Sequence, residues 1–296
     1  MSHTSGAPIK WTLNAMPKSD DKQLIHMSLE EMEKARNFHK SFPQYDVTPL
    51  TPLSSLADYL GLKRLYVKDE SYRFGLNAFK VLGGSYAIAR HIARELKKDV
   101  SQVPYDVLIS KELRDEFGQA TFFTATDGNH GRGVAWAANK LGQKCVVRMP
   151  KGTTQTRLQN IAKENATVTI EDLNYDDCVR LAAKEAAQTE RGIMVQDTAW
   201  EGYEEIPTWI MQGYGTLASE ADEQLTKDNA RPTHIFIQAG VGSLAGAVIG
   251  YFANRFQEHP PIMAVVEANA ADCLYQSALQ ADGSRVNVTG DMLTIM

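Results

Sequence analysis

One lysine of the sequence stands where an amine could act on a bound compound. Lys80, in the string NAFKVLGGSYA (77–87), lies at the start of a predicted helix, where the helix dipole disfavours a positive charge. It is either a solvated lysine at a helix start or a lysine that forms a Schiff base, which requires the neutral amine. Gly83 and Gly84 would let the backbone approach a flat ring closely. This segment alone leaves both interpretations open.

A second segment, TATDGNHGRG (124–133), predicts a strand that runs into a helix start. Backbone N–H groups at such a start bind anions, and an amino-acid carboxylate would fit there. The candidate substrate-binding residues are Thr126, Asp127, Gly128, Asn129 and His130. Asn129 could also reach a cofactor hydroxyl. The simpler alternative is an ordinary strand-to-helix turn, with Asp127 as the helix cap and His130 packed against the sheet.

The third segment, QAGVGSLAGA (238–247), follows the predicted strand HIFIQ. Its residues Gly240, Val241, Gly242 and Ser243 suit a phosphate-binding loop before a helix. The spacing departs from the strict dinucleotide fingerprint, and the Gly-Lys-Ser/Thr of a P-loop is missing. Close packing of a helix on a sheet would explain the same glycines equally well.

The elements that must position these residues alternate along the chain. Short β-rich runs are predicted at 63–70, 121–126, 144–150, 166–171, 193–197, 234–240 and 262–268. Helical patterns are predicted at 29–40, 54–62, 81–98, 105–117, 130–141, 154–164, 174–189, 206–226 and 243–257. This alternation predicts an α/β fold with parallel sheets and flanking helices.

Composition excludes several functions for the 296 residues. The net charge is -5 and no Lys/Arg run is present, so we expect no nucleic-acid partner. The three cysteines lack metal-ligand spacing, which predicts free thiols and no metal site. No leader-like apolar stretch and no membrane span are found, so we expect a cytoplasmic protein without a membrane partner. The apolar ending VTGDMLTIM (288–296) has no cap or polar tail, and we expect the chain to be a fragment.

Taken together, NAFK (77–80), TDGNH (126–130) and GVGS (240–243) resemble the motifs of the fold-type II pyridoxal 5′-phosphate (PLP) enzymes. These include tryptophan synthase β and threonine dehydratase. The resemblance implies that Lys80 carries the Schiff base, that TDGNH binds the substrate carboxylate and the cofactor ring oxygen, and that the glycine loop binds the phosphate. It also implies that Glu267, in VEANAADC (266–273), lies near the ring. The loop reads GVGS where many relatives have GGGG.

The strings VKDESYRFGLNAFK (67–80) and QDTAWEGYEEIPTWIMQGYGT (196–216) are similar to one branch of that family, the 2,3-diaminopropionate ammonia-lyases. The resemblance implies α,β-elimination of both enantiomers of diaminopropionate to pyruvate and ammonia. Lys80 and Asp127 would act on opposite faces of the ring, and Asp197 would pair with the β-ammonium. From the residues alone, the favoured interpretation of Asp197 is a turn former at a strand end. The alternatives are a serine/threonine dehydratase and a catalytically silent cofactor-binding fragment.

The resemblance further implies two open parallel-sheet domains with flanking helices and an active site in the cleft between them. We expect a large PLP-binding domain at 1–85 and 207–296 and a small domain at 86–206. The relatives are mostly dimers, so we expect a homodimer. The residue opposite the pyridine nitrogen would lie in a segment that this sequence lacks.

Overall fold

The computed structural model describes residues 9–15 and 21–286. Its strands are β1 (Leu50–Pro52), β2 (Tyr66–Lys68), β3 (Thr121–Ala125), β4 (Lys144–Met149), β5 (Thr167–Ile170), β6 (Gly192–Met194), β7 (His234–Ala239) and β8 (Ile262–Glu267). Its α-helices are α1 (Leu29–Lys40), α2 (Ser54–Leu60), α3 (Lys80–Glu95), α4 (Tyr105–Leu108), α5 (Lys111–Phe117), α6 (Asn129–Lys140), α7 (Gln155–Ala162), α8 (Tyr175–Gln188), α9 (Glu205–Lys227), α10 (Ser243–Phe256) and α11 (Cys273–Gln280). Three 3₁₀ segments lie at Asp21–Met27, Glu70–Gly75 and Val100–Gln102. The predicted alternation of strands and helices is confirmed.

Two predicted elements are shorter than the sequence pattern suggested. The helix predicted at 105–117 is two helices, because the Ser110 hydroxyl accepts a hydrogen bond from the Leu113 N–H and starts α5. The strand predicted at 63–70 is confined to β2, because Asp69 accepts from the Ser71 N–H and starts the 3₁₀ segment. In both places a local cap ends the longer element.

The central sheet has the order β5–β4–β3–β6, and all its strands are parallel. Strands β7 and β8 form a separate parallel pair, while β1 and β2 pair antiparallel. The carboxyl ends of β3 and β6 lie side by side, which brings the loops that follow them together. The α/β architecture with parallel sheets is confirmed.

Glycines allow the central helices α3, α6 and α9 to pack closely. A Cβ atom at Gly83 would lie 2.6 Å from side-chain atoms of Ile210 and Tyr214 on α9, and one at Gly84 would lie 3.1 Å from Val134 on α6. The expectation that Gly83 and Gly84 admit a flat ring is therefore wrong, since both glycines face neighbouring helices. Their small size serves the helix packing of the core.

A buried ion network joins the segment before α3 to helix α9. Arg73 donates to both carboxylate oxygens of Glu220, at 2.8 and 2.7 Å, and the two side chains are fully buried. Lys68 lies 2.8 Å from Glu220, and Glu70 also pairs with Arg73. Burial alone would raise the pKa of Glu220, but Arg73 and Lys68 outweigh it and lower this pKa to about 2.

The predicted domain division at residues 85/86 falls inside α3, which runs unbroken to Glu95. The central sheet lies within 86–206, and β7 and β8 lie after residue 207. In the described part of the chain, none of the helices combines the length and apolar character that a membrane crossing needs. The apolar ending 288–296 lies outside the described residues.

Candidate active site

A cavity of about 220 Å³ opens where the loops after β3, β6 and β7 meet the start of α3. It is lined by Phe79, Lys80, Thr126, Asp127, Asn129, His130, Tyr175, Asp197 and Gln238–Leu244. The structure thus brings together the lysine, the TDGNH segment, Asp197 and the glycine loop, which are distant from one another in the sequence. Of the predicted site residues, Gly128 and Glu267 are not among those that line the cavity.

Lys80 is the first residue of α3, and its amine points into the cavity. The Nζ atom donates a hydrogen bond to Oδ2 of Asp197 at 2.5 Å. It also lies 5.5 and 5.9 Å from the ring centroids of Phe79 and Tyr214. The side chain is 17% exposed, so the amine is sheltered but can be reached from the cavity. A solvated lysine at a helix start, the simpler interpretation, does not describe this setting.

Asp197 lies three residues beyond β6 and is almost fully buried. Burial alone would raise the pKa of its carboxyl group, but the charge and the hydrogen bond of Lys80 work against burial, and this pKa is lowered to about 2. The Ser243 hydroxyl, at the start of α10, donates to the main-chain carbonyl of Asp197. Asp197 therefore does more than form a turn, because it is an ionised carboxylate facing an amine inside the cavity.

His130, in the first turn of α6, packs against the sheet. Its Nε2 atom lies 3.0 Å from the main-chain carbonyl oxygen of Val195, and its Nδ1 atom lies 3.6 Å from Oδ2 of Asp197. The ring is buried, and this burial lowers the pKa of His130. The bond to Val195 agrees with the packing interpretation, while Nδ1 faces the site.

The turn between β3 and α6 places Asp127 at the rim of the cavity. Thr126 accepts from the Gly128 N–H at 2.9 Å, and Gly128, not Asp127, is the N-cap residue of α6. Asp127 instead accepts from Nη1 of Arg157, which lies 3.2 Å from Oδ2 and 3.3 Å from the carbonyl oxygen. The first N–H groups of α6 lack helical acceptors and can receive a carboxylate beside the exposed Asn129.

The glycine loop ends β7 and begins α10. Gly242 is the N-cap residue of α10, and its φ of +92° is one that residues with a side chain rarely adopt. No protein atom lies within 4 Å of the position a Cβ would take there. The helix start is thus open toward the cavity and suits an anion such as phosphate.

Glu267 is directed away from the role that the resemblance implies. Its carboxylate accepts from the N–H groups of Leu274 at 3.0 Å and Tyr275 at 2.7 Å, in the first turn of α11. Unpaired helical N–H groups are strong partners for a carboxylate. The contact fixes α11 next to the end of β8.

The sequence did not single out Tyr175, Arg157 or Phe79. Tyr175 begins α8, and its hydroxyl accepts from Nε2 of Gln196 at 2.8 Å, next to Asp197. Helix α8 follows β5, so its start lies at the same edge of the sheet as the other site loops. That position is the one signal from which Tyr175 could have been inferred.

A family model described as pyridoxal-phosphate dependent enzyme matches residues 42–295. The chain belongs to this family. It is 56% identical over 260 residues to the diaminopropionate ammonia-lyase of Salmonella typhimurium (strain LT2), and 48% identical over 270 residues to that of Escherichia coli (strain K12). The matches cover 88% and 91% of this chain but 64% and 66% of those relatives. The chain therefore spans about two thirds of the length of these curated relatives.

Solved structures of the Escherichia coli diaminopropionate ammonia-lyase superpose closely on this pyridoxal-phosphate dependent chain. The selenomethionine holo form has a TM-score of 0.84 at 47% identity, covering 89% of this chain and 66% of that one. The complex with D-serine has a TM-score of 0.84 at 46% identity, covering 90% and 67%. The predicted fold-type II class is confirmed, and family membership confirms PLP as the cofactor.

The cavity residues of this pyridoxal-phosphate dependent chain fit such a cofactor. Lys80 offers the amine for covalent attachment, and the open start of α10 at Gly242 and Ser243 offers backbone N–H groups for a phosphate. No group of three or more His, Cys, Asp or Glu side chains within 9–15 and 21–286 is arranged to hold a metal ion.

Proposed function

We propose that the chain is the PLP-binding part of a diaminopropionate ammonia-lyase, which converts D- and L-2,3-diaminopropionate to pyruvate and ammonia. The identities of 56% and 48% to enzymes of that name support this activity. The observation that carries the proposal is the contact between Lys80 Nζ and Asp197 Oδ2, which places a buried carboxylate against an amine in the cavity and so supports recognition of a second amine there.

Lys80 has two tasks in this proposal. It attaches the cofactor through its amine, and once released it removes the Cα proton on the face from which it departs. When bound, PLP supplies an electron sink that stabilises the negative charge left at Cα. The position of Lys80 in the wall of the cavity, with its amine 5.5 Å from the ring centroid of Phe79, supports both tasks.

Asp197 selects the substrate in this proposal. Its carboxylate accepts a hydrogen bond from the Lys80 amine, and we infer that the β-ammonium of diaminopropionate binds to the same carboxylate once the Lys80 amine carries the cofactor. A buried carboxylate without a cation is costly, so a substrate with a β-hydroxyl leaves Asp197 poorly satisfied. Serine and threonine are therefore weaker substrates than diaminopropionate.

Asp127 is the base for the second face of the ring. A single lysine removes protons from one face, so an enzyme for both enantiomers needs another base. Asp127 lines the cavity, is partly exposed and is held by Arg157, which supports this role.

The remaining site residues bind the carboxylate of the substrate and the phosphate of the cofactor. We assign the substrate carboxylate to Thr126, Gly128, Asn129 and His130, at the start of α6, with Asn129 also on the cofactor ring oxygen. The phosphate is assigned to Gly240, Val241, Gly242 and Ser243.

Release of ammonia and pyruvate from each enantiomer of diaminopropionate, compared with serine and threonine, tests the activity. We expect diaminopropionate to be preferred, by about 10²-fold in kcat/KM, as is typical for loss of a buried charged contact. Preference for serine or threonine would support the dehydratase. Visible absorbance of lysine-bound PLP without turnover of any substrate would support the silent fragment.

We also propose a cytoplasmic homodimer divided into domains at 1–85 with 207–296 and 86–206. The free cysteines support a reducing compartment. Exposed apolar side chains, among them Trp11, Tyr59 and Phe236, offer surface that a second protomer can cover. Light scattering of the purified chain measures its mass: about twice 32.8 kDa supports the dimer, and 32.8 kDa rejects it.

A further inference from the structure

The imidazole of His130 has one bonded and one unbonded nitrogen. Nε2 lies 3.0 Å from the carbonyl oxygen of Val195, which can only accept, so Nε2 carries a hydrogen. Nδ1 is buried and has no hydrogen-bond partner among the described residues, yet it lies 3.6 Å from Oδ2 of Asp197. The ring orientation is thus fixed by Val195, and the free nitrogen is aimed at the carboxylate.

This arrangement has an electrostatic consequence. A neutral His130 with its hydrogen on Nε2 presents a lone pair to a negatively charged oxygen. The contact is tolerated because the same oxygen, Oδ2 of Asp197, accepts from the Lys80 amine at 2.5 Å. Burial lowers the pKa of His130, Asp197 raises it and Lys80 lowers it. Whether Nδ1 carries a proton therefore depends on the charge at Lys80.

We propose that His130 is a positioning residue that takes up a proton on Nδ1 whenever Lys80 ceases to hold its positive charge beside Asp197. The reason is the cost of a buried carboxylate without a cation. Among the described residues, Lys80 and His130 are the cationic side chains within 4 Å of the Asp197 carboxylate. With a proton on Nδ1, His130 donates to Asp197, keeps it ionised and holds it ready for an incoming ammonium.

The protonation of His130 concerns the chain's own charges, and only the readiness of Asp197 for an ammonium rests on the proposed function. The charged groups that face His130 are Asp197, after β6, and Lys80, on α3. The other titratable side chains that line the cavity are Asp127, on the rim, and Tyr175, on α8. Replacement of Lys80 therefore changes one charge next to His130 and leaves the others in place.

The test is a titration of His130 in the cofactor-free chain, followed by NMR with ¹⁵N-labelled histidine. The sequence has seven histidines, and His130→Gln identifies the signal of His130. Lys80→Met removes the positive charge, and Lys80→Arg keeps it as a matched control. We expect Lys80→Met to raise the measured pKa of His130 by about one to two units, Lys80→Arg to change it by less than about 0.3, and Asp197→Asn to lower it.

Two results of these titrations would overturn the proposal for His130. An unchanged pKa of His130 in folded Lys80→Met would overturn the proposal, and ¹³C NMR would then show whether Asp197 takes the proton in its place. An unchanged value in Asp197→Asn would do the same, because it would show that the two groups do not interact. A role confined to packing against Val195 predicts equal His130 values in all these variants, and each variant that folds decides the question alone.

Discussion

Lys80 Nζ and Asp197 Oδ2 lie 2.5 Å apart although their residues are 117 positions apart in the chain. Lys80 begins α3, while Asp197 follows β6, so the contact joins the helix that carries the amine to the loop of the central sheet. It places a buried carboxylate directly against the amine inside the cavity. Under the proposed function, the same carboxylate would hold the β-ammonium of the substrate.

Asp197→Asn tests the preference for diaminopropionate over serine that the proposed contact with Asp197 implies. The amide removes the charge that would hold the β-ammonium, so kcat/KM for both enantiomers of diaminopropionate should fall by about 10²-fold or more. Activity on serine should fall less, because serine has no β-ammonium. Asp172→Asn, at the surface pair with Lys151, is the matched control and should behave as the unmodified chain. Equal losses of kcat/KM on diaminopropionate and serine would show that Asp197 orients Lys80 and does not select the substrate.

Asp127→Asn should separate the two enantiomers. Loss of a general base typically costs about 10²- to 10⁴-fold in rate, and we expect a loss of that size on D-diaminopropionate. The L-enantiomer should be spared, since Lys80 serves that face. Steady-state kinetics on both enantiomers provides its own control within one protein. If D and L fall equally, Asp127 positions Arg157 or the turn, and the scheme with two bases is wrong.

Gly242→Ala should weaken PLP binding through the backbone. No protein atom crowds the Cβ position, but the φ of +92° must be given up or strained by alanine, which would tilt the N–H groups at the start of α10. Gly61→Ala is the control, with a φ of +68° and equally open surroundings at the end of α2. Both variants should lose about 1 kcal/mol of stability, and only Gly242→Ala should raise the Kd for PLP. Equal affinities of Gly242→Ala and Gly61→Ala for PLP would show that the glycine loop does not bind the phosphate.

The order of the helices and strands and most residues that line the cavity could be predicted from the sequence, because hydrophobic periodicity and helix capping are local signals. Lys80, the TDGNH segment and the glycine loop each begin a helix after a strand or turn, and such starts meet at one edge of parallel sheets. Their motif content made the family recognisable before any distance was known.

Pairings between distant side chains could not be predicted in this way. The contact of Arg157 with Asp127 and the direction of Glu267 toward the N–H groups of α11 depend on where whole elements come to lie. The expectation that Gly83 and Gly84 face a cofactor ring is wrong, because the sequence of a helix does not show whether its glycines face a ring or another helix.

Glu220→Gln should destabilise the fold by about 3–5 kcal/mol, because it removes the fully buried anion that Arg73 and Lys68 share and leaves Arg73 with Glu70 alone. The pKa of Glu220 is lowered to about 2 in the folded chain, against about 4.3 when unfolded. Its stabilising contribution is thus complete above about pH 4.3 and is lost as the pH falls toward 2. Urea unfolding at several pH values should show this loss in the unmodified chain and not in Glu220→Gln.

Glu205→Gln is the matched control on the same helix. Glu205 pairs with Arg94 at the surface, where such pairs contribute about 0–1 kcal/mol. Similar free energies of unfolding for the two variants would show that the network around Arg73 is not a main source of stability.

The assignment of Lys80 as the cofactor lysine is tested most directly by chemical trapping. The chain is loaded with PLP, reduced with borohydride to fix the cofactor on the amine to which it is attached, digested, and mapped by mass spectrometry. We expect the label on Lys80, in the peptide that contains NAFK, and no stoichiometric label in Lys80→Ala. A stoichiometric label on any other lysine, in a chain that still binds PLP, would contradict the account.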